Sequence, residues 1–170
     1  MKTLLAILFA FVAIPAFCQS KDYSADVKTV ESTIKALYEV ISGEKGEARD
    51  WERFRNLFTA DAKLIPTFIN KEGKVAYRAI TPAEYETSFT KMIPNRGFFE
   101  TEISNITEAY GNIVHVFSTY ETRDEKAGKV TMRGINSIQL LKSNDRYYVM
   151  NIFWSSETDE APIPGKYLPK

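Results

Sequence analysis

Alternation of apolar and polar residues governs the second half of the chain. In Arg133-Gly134-Ile135-Asn136-Ser137-Ile138-Gln139-Leu140-Leu141 the two kinds interleave with the two-residue period of a strand whose faces do different work. Gly111-Asn112 reads as a two-residue hairpin turn with Gly first, as a type II′ turn prefers, and residues 124–128 and 143–145 read as two further turns. The pattern predicts four consecutive antiparallel strands, at about 99–110, 113–123, 129–142 and 146–155. The first half repeats at helical spacing instead. Val27, Val30, Ile34, Leu37, Tyr38 and Ile41 form one apolar face of a helix that Asp26 caps and Gly43 and Gly46 end. Asp50 caps a short second helix with Trp51, Phe54, Leu57 and Phe58 on its buried side. Residues 59–62 turn the chain into an extended segment at 63–68, and 75–80 pairs back on it. Thr81-Pro82-Ala83-Glu84 opens a third helix, with a capping box and Pro at the first helical position. Helices followed by a run of strands give an α+β class, a curved antiparallel sheet packed on three N-terminal helices.

The ends of the chain follow other patterns. Lys2, an apolar run over 4–14 and then Pro15-Ala16-Phe17-Cys18 have the form of a secretory signal peptide cleaved before Gln19. The run is too short to span a bilayer, which takes about 20 residues. Lipid modification of Cys18 is the alternative, and the bulky Phe17 disfavours it. The expected organisation is a leader at 1–18, a disordered lead-in at 19–26, one domain at 27–156 and an irregular tail at 157–170. Pro162, Pro164 and Pro169 keep the tail irregular, and Ile163, Tyr167 and Leu168 pack it back on the domain. The expected location is secreted or periplasmic, with no membrane association after cleavage. Cys18 is the single cysteine, so the mature protein has no thiol for a disulfide, a metal or a nucleophile. With 22 basic and 22 acidic residues the chain is neutral, which removes the electrostatic reason to expect nucleic acid.

Pairing Tyr110 with Ile113 across the hairpin sorts the strand residues onto two faces. One face holds Ile103, Asn105, Thr107, Ala109, Val114, Val116, Ser118, Tyr120, Met132, Gly134, Asn136, Ile138, Leu140, Tyr148, Met150, Ile152 and Trp154. It is mostly apolar and should receive the helices. Its polar members Asn105, Ser118, Tyr120 and Asn136, with the indole of Trp154, gather toward one end of the strands, the expected lining of a small-molecule pocket. Arg78 is a candidate for holding an anionic group at its mouth. The opposite face mixes Phe117, Ile135 and Phe153 with Arg133 and Ser137, a composition that fits a sheet-to-sheet homodimer contact.

The order of elements, with Leu57-Phe58-Thr59-Ala60-Asp61-Ala62, the stretch 133–141 and the ending Trp154-Ser155-Ser156-Glu157, resembles the nuclear transport factor 2-like superfamily, SnoaL-like branch, over about residues 25–156. The resemblance implies a cone-shaped fold with a pocket in its open end and members that pair through the outer sheet face. It also implies a choice between isomerases, dehydratases and cyclases on one side and non-catalytic binding or adaptor domains on the other. Steroid isomerases of this type carry a catalytic Asp just after the second-helix turn, where this chain reads Lys63-Leu64-Ile65-Pro66; the resemblance gives Asp61 a structural role at a helix end.

The chemistry legible in the residues is sparse. The inward face carries no Asp, Glu or His, and His115, the only histidine, is expected outward, across from Glu108. One His cannot build a His-rich metal cluster, and an outward one does not serve a nucleophile triad, so no metal, cofactor or catalytic residue is assigned. Tyr120 with Asn136 can polarise a carbonyl through two hydrogen bonds. Without a base that is binding rather than turnover. The sequence therefore points to an exported domain that binds a small apolar or amphipathic molecule. The alternatives are an isomerase, dehydratase or cyclase using a rim carboxylate such as Glu84, Glu86 or Glu157, and a non-catalytic interaction module.

Overall fold

The computed structural model describes residues 21–170, and the expected leader lies outside them. After a 3₁₀ turn at Ser24–Val27 come α1 (Val30–Ile41), α2 (Trp51–Asn56), β1 (Phe58–Ile69), β2 (Val75–Tyr77), α3 (Pro82–Met92), β3 (Phe99–Tyr110), β4 (Ile113–Arg123), β5 (Met132–Ser143) and β6 (Arg146–Ser156). The strands form one six-stranded sheet in the order β2-β1-β6-β5-β4-β3. Every pairing is antiparallel except β1 with β6, which makes the sheet mixed. The class is α+β with three helices.

Local chemistry sets the helix ends. Thr81 and Glu84 form the capping box expected for α3, with Pro82 at its start, and Asp50 caps α2 by accepting from the Arg53 amide. For α1 the cap is Thr29, in a capping box with Ser32, rather than Asp26. Asp26 instead accepts two hydrogen bonds from the Arg53 guanidinium, at 2.7 and 2.8 Å, a bidentate pairing that suits a carboxylate. Val27 is buried. The end of the lead-in, expected to be disordered, is therefore ordered from the 3₁₀ turn onward.

Residues 59–62, expected to turn, lie within β1. They form the irregular stretch between the Phe58↔Val149 and Lys63↔Asn151 pairs. Asp61 is consequently an exposed strand residue and caps no helix.

The core lies between the helices and one face of the sheet. Ile34, Leu37 and Ile41 of α1 and Phe54 of α2 meet Leu64, Val116, Ile138, Leu140, Val149 and Ile152. Trp51, Phe54, Tyr85, Phe89 and Phe98 continue this core as a chain of aromatic rings with centroids 5.2 to 5.8 Å apart.

The hairpin register is the expected one, with Tyr110 opposite Ile113 and Gly111 at φ 57°. Two bulges then alter the sorting of faces. In β6 the register shifts opposite Gln139–Leu140, so Val149 pairs with Leu140 and is fully buried. Tyr148 and Met150, expected inward, leave the inner face there, because one extra residue reverses a strand's alternation. In β3 the shift falls between Glu102 and Ser104. Ile103 drops out of the inward row, and beyond it Glu102 pairs with Tyr120 and Glu100 with Thr122, on the side that faces the helices. The expectation of an inner face free of carboxylates fails at this bulge.

Gly134 sits opposite Tyr120 on β5, where a Cβ would collide with the Tyr120 hydroxyl and lie 2.5 Å from the Ser155 carbonyl oxygen. Gly134→Ala is therefore expected to cost about 1–3 kcal/mol in urea unfolding, as overpacking does. Gly165→Ala, with open space at its Cβ, serves as the near-neutral control.

Candidate functional site

Four of the residues read from the sequence fall on one row across the sheet: Asn105 opposite Ser118, Ser118 opposite Asn136, Asn136 opposite Trp154. Tyr120 lies one inward position further along β4. The row is divided between two cavities. The inner chamber, of about 200 Å³, is walled by Leu37, Ile41, Phe54, Leu64, Tyr85 and Phe89, and carries Glu100, Tyr120, Asn136 and Trp154. The second cavity is a groove of about 490 Å³ between α1 and β3, and Asn105 lines it beside Glu102. Tyr38 and Glu100 line both, so they form the wall between chamber and groove.

Tyr38 comes from the buried face of α1, and its placement is tied to that of Glu100. Just past the helix, the Ser42 hydroxyl donates to the Tyr38 carbonyl at 2.7 Å and accepts from the Glu100 amide at 3.0 Å. Gly43 and Phe98 exchange two backbone hydrogen bonds beside it, at 2.8 and 3.0 Å. The end of α1 is thus stitched to the start of β3, and the bulge at Ile103 turns the Glu100 side chain inward.

Polar groups in this wall satisfy one another. Asn136 Nδ2 donates to the Tyr38 hydroxyl at 3.0 Å, Tyr38 and Ser118 hydroxyls lie 2.7 Å apart, and the Ser118 hydroxyl donates to Glu102. Asn105 Nδ2 holds the other Glu102 oxygen at 2.7 Å. Ser118 is fully buried and Asn136 nearly so, and unpaired groups there would cost about 1–3 kcal/mol each.

Glu100 is different. Protein packed around its carboxyl pushes it up to about 8, with an interaction from Asn136 acting in the opposite sense. At neutral pH it is mostly a neutral acid that can donate a hydrogen bond into the chamber. Burial also raises the hydroxyls of Tyr38 and Tyr85 above the usual tyrosine range, and that of Tyr120 to about 12. These remain protonated donors.

The remaining candidates lie elsewhere. Arg78 is exposed and lines neither cavity; its charge acts on Glu84. The rim carboxylates are engaged structurally, Glu84 in the α3 cap, Glu86 with Arg55 at 2.7 Å, and Glu157 with Arg133 at 2.9 Å and the Ile163 amide. His115 pairs in register with Glu108, but its Nε2 lies 2.9 Å from the Ser137 hydroxyl. Among the described residues no group of three or more His, Cys, Asp or Glu side chains is placed to hold a metal ion.

On the outer face Phe117, Ser137 and Phe153 share one row, with Ile135 and Arg133 further along β5. The tail crosses this surface. Ile163 is buried, the Tyr167 ring packs on Phe117 with centroids 4.9 Å apart, and Thr119 donates to the Tyr167 carbonyl at 2.7 Å. The tail therefore covers part of the face expected to form a dimer.

Comparison with known proteins places the fold. No protein-family model matches the chain, and no curated protein is significantly similar to it. Solved structures do match, and this chain shares its fold with them, among them one described as having a cystatin-like fold and one described as a putative calcium/calmodulin-dependent protein kinase II association domain. One is a protein of unknown function with a cystatin-like fold from Nostoc punctiforme, 13% identical, covering 77% of this chain and 95% of its own, at a TM-score of 0.56. A second, of unknown function, from Mycobacterium tuberculosis, is 13% identical over 80% of this chain and 75% of its own, at a TM-score of 0.59. A third, from yeast, is the UBP3-associated protein BRE5, 11% identical over 76% of this chain and 94% of its own, at a TM-score of 0.53. At these identities the likeness is one of fold.

Sequence reasoning missed Glu100 and Glu102 because Ile103, an apolar residue among polar ones, draws the alternation to the wrong parity. It missed Tyr38 as a site residue because its spacing on α1 is that of a core position.

Glu100 makes stability depend on pH in a definite direction. Its folded carboxyl titrates near 8 and its unfolded one near the ordinary 4.5, so between them the folded state binds more protons. This group's contribution falls as pH rises through that window, by up to about 1.4 kcal/mol per pH unit, and levels off above it. In urea unfolding across the window Glu100→Gln is expected to remove that slope.

Proposed function

We propose that this is an exported, SnoaL-like domain that binds a small, largely apolar molecule in the chamber around Glu100, Tyr120, Asn136 and Trp154. One observation carries this reading: an aromatic-walled chamber of about 200 Å³ on which a few polar groups converge. Its size narrows the ligand. An apolar cavity of about 150 Å³ takes a benzene ring, so this one suits one ring or two fused rings with a single polar substituent. The neutral Glu100 carboxyl and the Asn136 amide favour a carbonyl or hydroxyl oxygen over a carboxylate. The apolar leader at 1–18 supports export, and the residues named for a homodimer remain a surface of the right composition, partly covered by the tail.

A second reading is favoured by Glu100 itself: an isomerase, dehydratase or cyclase acting on a small carbonyl compound. A carboxyl displaced toward neutrality inside a cavity is a group suited to proton transfer.

Ligand-induced thermal shifts against a panel of one- and two-ring ketones and phenols test the binding reading. Wild-type protein is expected to shift with some of them, and Asn136→Leu and Trp154→Ala to lose at least tenfold in affinity. Unchanged shifts in both variants would place the ligand elsewhere. N-terminal sequencing of the mature protein is expected to begin at Gln19.

A further inference from the structure

The wall between chamber and groove is a continuous chain of hydrogen bonds, and its direction is fixed at both ends. At the groove, the Ser118 hydroxyl donates to the Glu102 carboxyl. The Ser118 oxygen must then accept from the Tyr38 hydroxyl, 2.7 Å away. At the chamber end, Asn136 Nδ2 can only donate, and it does so to the Tyr38 oxygen at 3.0 Å. Every O–H in the chain therefore points from chamber to groove. Asn105 fixes the far carboxylate oxygen at 2.7 Å, and Tyr38 borders both spaces. The bulge at Ile103 brings Glu100 and Glu102, two residues apart, onto the same face, and Glu100 lines the chamber while Glu102 lines only the groove.

We propose that Tyr38, Ser118 and Glu102 form a proton relay that moves a proton between a carbonyl compound in the chamber and the groove. The proposal rests on the second, proton-transfer reading above. In the forward direction the ligand's acidic C–H bond breaks and its electron pair stays on the ligand as an enolate. The proton bonds to the Tyr38 oxygen while the Tyr38 proton passes to Ser118 and the Ser118 proton to Glu102. Glu102 ends neutral, the two hydroxyls are restored, and the negative charge has moved from Glu102 to the ligand. Burial disfavours a free tyrosinate at Tyr38, so the three transfers are coupled rather than stepwise. Glu100 stays out of the relay and donates to the enolate oxygen. Base and oxyanion donor are thus separate carboxyl groups held apart by Tyr38. Reversal returns the proton, and because Glu102 borders the groove it can exchange with water in between.

The test is hydrogen–deuterium exchange at the methyl group of acetophenone in D₂O, followed by proton NMR, with binding measured separately by saturation transfer. Wild-type protein is expected to bind acetophenone and accelerate exchange over buffer. Glu102→Gln and Ser118→Ala are each expected to lower the accelerated rate by about 10²-fold, the scale of general base catalysis, with binding changed less than twofold and thermal unfolding still cooperative. Ser118→Cys, similar in volume and a poor donor, replaces Ser118→Ala if that variant does not fold. If acetophenone binds but exchange is not accelerated, or if a folded variant at Glu102 or Ser118 exchanges like wild type, the relay is wrong and the binding reading stands. Loss of exchange in Glu100→Gln with Glu102→Gln unaffected makes Glu100 the base and also overturns the relay. If neither acetophenone nor any compound of the panel binds, the chamber reading fails and the relay with it.

Discussion

Strand β3 carries one residue more than β4 between Glu102 and Ser104, and the chemistry of the interior follows from that single insertion. Without it, Ile103 would point inward and both carboxyls outward. The inner face would then be a hydrocarbon surface with a few amides and hydroxyls. With it, two acidic side chains turn to the helix side, Glu100 into the chamber, where desolvation is costly, and Glu102 into the groove, where side-chain donors meet it. Glu100 has its carboxyl pushed up to about 8, and Glu102 accepts from Ser118 and Asn105.

The same region shows why α1 belongs to the site rather than merely to the core. Tyr38 lies on the buried stripe of the helix, and its ring helps separate the two cavities. Its hydroxyl links the Asn136 amide to the Ser118 hydroxyl, so replacing it with an apolar group would take a buried partner from Asn136 and leave Ser118 with Glu102 alone. The bonds from Ser42 to the Tyr38 carbonyl and from the Glu100 amide to Ser42 hold helix end and strand start in step. Geometry this constrained favours preorganisation over adaptation.

Much of this was legible in the chain. The four C-terminal strands, the Gly111-Asn112 hairpin and the α3 capping box follow from period, turn chemistry and caps, all of them local signals. The row from Asn105 to Trp154 follows too, because it needs only one correct hairpin register and uninterrupted alternation between there and β6. What was not legible is non-local or breaks periodicity. The parallel pairing of β1 with β6 joins segments some ninety residues apart, and the irregular stretch at 59–62 disguises the start of β1 as a turn. The bulges in β3 and β6 leave no composition signal and reverse every side chain beyond them. Arg78 reads as a pocket cation because it ends an extended segment, yet the structure leaves it exposed, lining neither cavity, with its charge acting on Glu84.

The tail adds a constraint of another kind. Tyr167 rests on Phe117, and its carbonyl is held by Thr119, on the very surface whose composition invites a partner. A segment joined to the sheet by a dozen residues competes for that surface at an effective concentration on the millimolar scale. Any protein that docks there from solution must displace a ligand that never diffuses away. Access to the outer face is thus set by the tail's grip as much as by any visitor's affinity, and losing the last few residues would uncover Phe117 without altering the interior.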